Sequence, residues 1–213
     1  MVVLLNLVIE FVRSPLGLLA SALLIGHASI SSAADTAPTP AQPKGPFYPR
    51  KLPAERDSDL ASVAGKAAQG EVIAVMGRIY DRGGKPVPGA RVEIWQTNAE
   101  GRYHHERDDS AAPWDPGFQG WGETQTGAEG GYRFRTIKPV AYSGRAPHIH
   151  FAVTAPGKPT FYTQLYLADA SENARDFLIR ELAEAERARL MVALEPRSGS
   201  AGDPTVRFDI VLP

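Results

Sequence analysis

From residue 71 onward, short runs rich in β-branched and aromatic residues alternate with turn chemistry. Val72-Ile73-Ala74-Val75-Met76 is followed by Arg82-Gly83-Gly84-Lys85, the run 90–97 by Asn98-Ala99-Glu100-Gly101, and Ala128-Glu129-Gly130-Gly131 by Tyr132-Arg133-Phe134-Arg135-Thr136-Ile137. Strands this short, broken this often, predict a sandwich or barrel rather than a parallel sheet with crossover helices. Successive side chains of a strand face opposite ways, so residues 90–97 put Val92 and Ile94 toward a core and Glu93 and Trp95 on the other side. Residues 148–154 and 205–212 read as further strands. The helical period appears once, over residues 171–190, where Phe177, Leu178, Leu182 and Leu190 fall near one stripe. Ser171 is its N-cap candidate, with Ala174 rather than Glu three positions on, so no capping box forms. The expected fold is mainly β, an antiparallel β-sandwich with one helix in the C-terminal half.

Ahead of this body the pattern changes twice. Residues 16–30 are nearly free of charge and lead into Ser31-Ser32-Ala33-Ala34, which reads as a signal peptide over 1–34 and predicts export. An uncleaved membrane anchor or a mis-assigned start are the alternatives. Residues 35–44 carry Pro38, Pro40 and Pro43 and show no apolar period, and residues 35–70 read as a Pro-rich linker and N-terminal arm, with the folded body beginning near Gly45. Residues 71–213 are then the β-sandwich domain, and 213 residues suit one such domain.

Composition removes several functions. With 23 basic and 24 acidic residues and no basic stripe, nucleic acid is not an expected partner. With no cysteine, disulfides, thiolate metal sites and a Cys nucleophile are excluded, so a metal would need His, Tyr, Asp or Glu.

His148-Ile149-His150 lies in a predicted strand, so both imidazoles share one face while Ile149, Phe151 and Val153 share the other. Two imidazoles two residues apart can close on one metal at about 2.1 Å. They can equally be hydrogen-bonded histidines with no ligand role. A phenol titrates near 10, so a tyrosine ligand requires a strongly acidic metal such as ferric iron. Two phenolates and two neutral imidazoles would leave Fe(III) at net charge +1. Spacing does not choose among the seven tyrosines; Tyr48, Tyr80, Tyr132, Tyr162 and Tyr166 are adequately explained as sheet residues.

An ordered set of motifs resembles the intradiol ring-cleavage dioxygenases, and among them the iron-bearing β-chain type of the protocatechuate 3,4-dioxygenases. The set includes Gly84-Lys85-Pro86-Val87-Pro88-Gly89, Val92-Glu93-Ile94-Trp95-Gln96-Thr97-Asn98-Ala99-Glu100-Gly101-Arg102-Tyr103, Pro147-His148-Ile149-His150-Phe151 and Thr163-Gln164-Leu165-Tyr166, and extends over about residues 45–212. The resemblance implies one Fe(III) per chain, held by Tyr103, Tyr142, His148 and His150, with Tyr103 and His148 equatorial and Tyr142 and His150 axial. It matches Arg145 to an active-site arginine, Gln164 to a glutamine behind the ligands, and Trp95 to an aromatic of the cavity wall. His104 and His105 are read as flanking residues.

The implied reaction is insertion of both atoms of O₂ into a catechol-type ring to give a muconate-type dicarboxylate, with a protocatechuate-like substrate favoured. Tyr142 would leave the metal as substrate binds and take one of its protons, and Arg145 would stabilise charge developing on the ring. Two other readings remain. Transthyretin-like and carbohydrate-binding sandwiches share the turn motifs without any chemistry, and a zinc hydrolase could use the two histidines with Glu123. The segment Ser143-Gly144-Arg145-Ala146-Pro147 is short for the family and predicts a more open pocket. A homo-oligomer or a related partner chain is compatible with the resemblance.

Overall fold

The computed structural model describes residues 37–196 and 202–213. The signal peptide expected over residues 1–34 lies outside the described residues.

Two five-stranded sheets form the body. A small hairpin, β1 (Ser62–Val63) and β2 (Lys66–Ala67), precedes them. The first sheet is centred on β3 (Val72–Tyr80). The second sheet begins with β4 (Arg91–Trp95) and β5 (Trp121–Gln125). Next come β6 (Gly131–Ile137) of the first sheet, and β7 (His148–Thr154) and β8 (Phe161–Leu167) of the second. β9 (Met191–Val192) closes the second sheet, while β10 (Leu194–Glu195), β11 (Thr205–Arg207) and β12 (Ile210–Val211) join the first. The second sheet runs β5-β4-β7-β8-β9, and its first four strands are antiparallel. Edge pairs depart from the antiparallel expectation: β11 and β12 run parallel to β3, and β9 runs parallel to β8.

Strand alternation builds the core between the sheets. Ile73, Val75 and Ile79 of β3 and Phe134 of β6 meet Val92 and Ile94 of β4, Ile149, Phe151 and Val153 of β7, and Leu165 of β8 in one buried cluster. The other face of the second sheet carries a separate buried cluster of Trp95, Tyr103, Trp121 and Ala152, packed with Phe47, Tyr48 and Tyr142. Sheet register places Trp121, Trp95, His150 and Gln164 side by side across β5, β4, β7 and β8.

The Pro-rich stretch is extended and fastened to the body. Proline has no N–H to donate, and its carbonyl remains an acceptor: Thr163 Oγ1 donates to Pro40 O at 2.8 Å and Gln164 Nε2 to Pro43 O at 3.0 Å. Thr39 N and Gln42 N donate to Val211 O and Tyr162 O, so the arm touches both sheets.

The single helix expected over residues 171–190 is a correction: three short turns stand there, a 3₁₀ turn at Ser171–Ala174, α1 (Phe177–Arg180) and α2 (Glu184–Ala188). Asp176 and Ala183 hold extended backbone, with ψ of 120° and 155°, and each break starts a new helix. Asp176 is fully buried, and its Oδ1 accepts from Leu178 N at 3.0 Å, an N-cap in the middle of the expected helix. Ile179 and Leu190 face the core, whereas Phe177 is exposed. Ser171 makes no cap bond to the backbone, because the first turn begins after Ala170.

Gly77 of β3 sits where a Cβ would run into the Phe208 carbonyl, itself the acceptor of the Tyr132 hydroxyl. Gly127 has open space at the same position. Gly77→Ala should therefore lower stability on the order of 3 kcal/mol, while Gly127→Ala stays within about 1 kcal/mol. Urea unfolding of the two variants checks this, and equal midpoints would refute the packing argument.

Candidate metal centre

β7 has two different faces. Its inward residues belong to the core, and its outward His148 and His150 are both buried under the arm and the loop that follows β4. His148 Nε2 and His150 Nε2 lie 3.2 Å apart, and His150 Nε2 lies 3.0 Å from Tyr103 Oη. Tyr103 Oη is in turn 3.0 Å from Tyr142 Oη. Four donor atoms are thus strung together at hydrogen-bond distance.

Each is aimed by its own local structure. Tyr103 follows a turn in which Asn98 Oδ1 accepts from Glu100 N and Arg102 N, and the Tyr103 N–H donates to Asp108 Oδ2 at 2.6 Å. Phe47 of the arm stacks on its ring at 4.7 Å. Tyr142 and Arg145 flank a two-residue turn and exchange backbone hydrogen bonds. Ser143 and Gly144 have φ of 43° and 77°, the left-handed pair of a tight hairpin turn. The Nδ1 of His148 lies 2.6 Å from Ala146 O, so it carries the proton and its Nε2 presents a lone pair to the cluster. Trp95 stacks on His150 at 4.8 Å with the rings 7° from parallel.

These donors suit a hard, acidic cation. Atoms bound about 2.1 Å from one metal and at right angles to each other sit roughly 3.0 Å apart, close to the spacings found here. Burial raises the Tyr103 phenol well above 10 and also raises Tyr142, so neither ionises near neutrality without added positive charge. Burial lowers His148 to about 3, helped by Arg145, and burial with the neighbouring His148 takes His150 well below 6.5. Both imidazoles are therefore neutral and able to ligate. Among the described residues no three His, Cys, Asp or Glu side chains could hold a metal together, so a site here depends on the phenols. Glu123, the carboxylate of the zinc-hydrolase reading, lies across the sheet from Glu93 and pairs with Arg91 at 3.8 Å.

Arg145 donates from Nε to Asp176 Oδ2 at 2.8 Å, and from Nη2 to Gln164 Oε1 at 2.8 Å and Tyr166 Oη at 3.0 Å. Gln164, beside His150 in the sheet, thus touches Arg145, Tyr166 and the arm. Trp95 is 1 % exposed and supports His150, and it takes no part in lining the nearby cleft. That cleft, about 310 Å³, is bounded by Tyr142, Ser143, Gly144, Arg145, Glu172 and Arg175. A larger one of about 660 Å³, at the far end of β7 between Arg82, Lys158 and Phe161, holds none of the cluster.

Sequence reading missed Asp176, Tyr166, Gln42 and Phe47. Gln42 Oε1 accepts from Tyr166 Oη at 3.2 Å. Only Asp176 carried a local signal, as an Asp that could cap a helix starting at Phe177.

A family model described as Dioxygenase matches residues 44–213. The β chain of protocatechuate 3,4-dioxygenase from Burkholderia cepacia is 41% identical over 167 residues, covering 73% of this chain and 71% of the relative. The α chain of the same enzyme is 35% identical over 184 residues, covering 81% and 90%. Among solved structures, the dioxygenase domain of a dioxygenase carbohydrate-binding protein fusion from Streptomyces sp. SirexAA-E superposes with a TM-score of 0.64 at 31% identity, covering 82% of this chain and 97% of that one.

The shifts above make the stability of the metal-free protein depend on pH. Phenols raised in the fold hold protons that unfolded tyrosines release, so stability falls as pH rises above about 10. Histidines lowered in the fold refuse protons that unfolded ones take up, so stability also falls as pH drops below about 6.5. The melting temperature of the metal-free chain against pH should show both limbs, with the alkaline one flattened in Tyr103→Phe. An alkaline limb unchanged by that substitution would contradict the assignment.

Proposed function

The chain belongs to the intradiol ring-cleavage dioxygenases, and we propose that within this family it is a non-haem Fe(III) enzyme cleaving a protocatechuate-like catechol, with iron held by Tyr103, Tyr142, His148 and His150. The observation that carries the reading is the convergence of two phenol oxygens and two imidazole nitrogens, from three separate parts of the chain, at 3.0–3.2 Å.

Ferric iron bound there would chelate the two adjacent hydroxyls of a catechol and make the ring electron-rich enough to react with O₂. The chain's own groups divide the remaining work. Tyr103, His148 and His150 are buried and braced, by Phe47, the Ala146 carbonyl and Trp95 respectively. Tyr142 is only partly buried, stands on a turn, and bonds through its hydroxyl to Tyr103 alone among the described residues. It is the donor free to swing away and accept a proton from a substrate hydroxyl at its Oη. Arg145 borders the cleft with a fixed positive charge, where it can stabilise negative charge that develops on the ring. Support for the protocatechuate-like substrate comes from the 41% identity to the β chain and from Arg175 at the cleft, a cation suited to a ring carboxylate.

The purified protein should carry about one iron per chain and show a visible phenolate-to-iron band that shifts with a catechol, and ¹⁸O₂ should label both new oxygens of the product. A colourless protein that stays inactive after iron loading would overturn the reading. For substrate, kcat/KM should be higher for protocatechuate than for catechol.

His148→Ala and His150→Ala should lose iron, because each removes a buried donor from the cluster. Tyr142→Phe should keep iron and lose turnover. Metal analysis beside steady-state rates separates the two outcomes, and equal iron and equal rates in all three variants would refute the ligand set.

A further inference from the structure

Asp176 has no exposed surface and no part in the chemistry described so far, yet its carboxylate is fully engaged. Oδ2 accepts from Arg145 Nε at 2.8 Å and from Ala146 N at 2.9 Å. Oδ1 accepts from Leu178 N at 3.0 Å and Ile179 N at 3.4 Å. Burial alone would raise this carboxyl, but the Ala146 N–H and the Arg145 guanidinium outweigh it and hold the group below the usual carboxylate range. A cap for a four-residue helix needs only one of these oxygens. The other faces the turn that carries Tyr142 and Arg145.

A guanidinium has five N–H donors in a rigid plane. On Arg145, Nε–H goes to Asp176, and Nη2 goes to Gln164 Oε1 and Tyr166 Oη. The Nε–H and Nη2 donors along one side of the plane are pinned, and among the described residues Nη1 has no partner. Exposed Phe177, the first residue of the helix Asp176 caps, lies 5.4 Å from the guanidinium carbon.

We propose that Asp176 is a positioning residue for ring cleavage: with Gln164 and Tyr166 it locks the Arg145 plane so that the Nη1 donors alone are left to meet the reacting ring. The proposal rests on the role given to Arg145 above. Without Asp176 the guanidinium keeps its charge but can rotate about its Nη2 bonds. The loss then falls on the step that needs an oriented donor, and metal and substrate binding are retained.

The test is a double-mutant cycle in the full iron-loaded chain. Asp176→Asn should lower kcat on the order of 10-fold, with iron content, the visible band and KM for the catechol unchanged within about twofold. In an Arg145→Met background, Asp176→Asn should cost no further kcat. It should also raise the melting temperature above that of Arg145→Met, where a buried carboxylate is left unpaired. An equal kcat loss in both backgrounds, or iron loss in Asp176→Asn, would show a merely structural role and overturn the proposal. Asp176→Ser keeps a capping oxygen but cannot reach Arg145, so it should show the same kcat loss; wild-type kcat in that variant also overturns it. Failure of the underlying reading looks different: wild-type chain without turnover, or Arg145→Met with wild-type kcat. Even then, solvent exchange of the Arg145 Nε–H, followed by NMR with diamagnetic Ga(III) in place of iron, should speed up at least tenfold in Asp176→Asn, and unchanged exchange counts against the lock.

Discussion

Because a strand sends successive side chains to opposite faces, β7 can belong to two interiors at once, and everything distinctive about the site follows from that. Ile149, Phe151 and Val153 commit the strand to the core, so His148 and His150 cannot rotate away without pulling three buried apolar residues out of place. The sandwich is the clamp that holds the two imidazoles. A one-residue slip in the pairing of β7 with β4 or β8 would exchange the two sets and bury the histidines against Phe134 and Ile73. The register seen, Trp95 beside His150 beside Gln164, also decides which groups surround the histidines.

A site that gathers four largely buried donors must manage its electrostatics. Burial pushes the phenols toward protonation and the imidazoles toward neutrality, so the cluster carries no charge of its own near neutral pH. Arg145 is the permanent charge at this edge, balanced by Asp176 and held away from the donors by Gln164 and Tyr166. On the same face, Glu93 and Glu123 oppose each other across two strands, and Arg91 and the Tyr48 hydroxyl keep that pair tolerable.

Much of this was legible in the sequence. The alternation that placed Val92 and Ile94 inward and Glu93 and Trp95 outward, and the two-residue spacing of the histidines, are local signals, and the sheet register turns them directly into geometry. Tyr103 and Tyr142 had no such signal; only resemblance to a family picked them from seven tyrosines, since what marks them is proximity across 39 residues of chain. Asp176 shows the opposite failure. The apolar spacing around it satisfied a helical period, but its carboxylate is worth more to the fold as the partner of Arg145, so the helix breaks there. Gln42 and Phe47 were hidden by their place in a stretch whose prolines suggested a linker, although those prolines supply the carbonyls that fasten it.

That fastening fixes where the molecule can be joined to other things. The arm passes Gln42 beside Tyr166, lays Gly45 against His150 and ends with Phe47 on Tyr103, so its few residues cover one side of the donor cluster. A cargo or immobilisation tag grafted just ahead of the arm would therefore enter the molecule beside its chemistry, whereas the far end of β7, near Pro156 and Lys158, offers an attachment point on the opposite side. For anyone tethering this protein to a support, the choice of terminus or loop is a choice about access to the cleft.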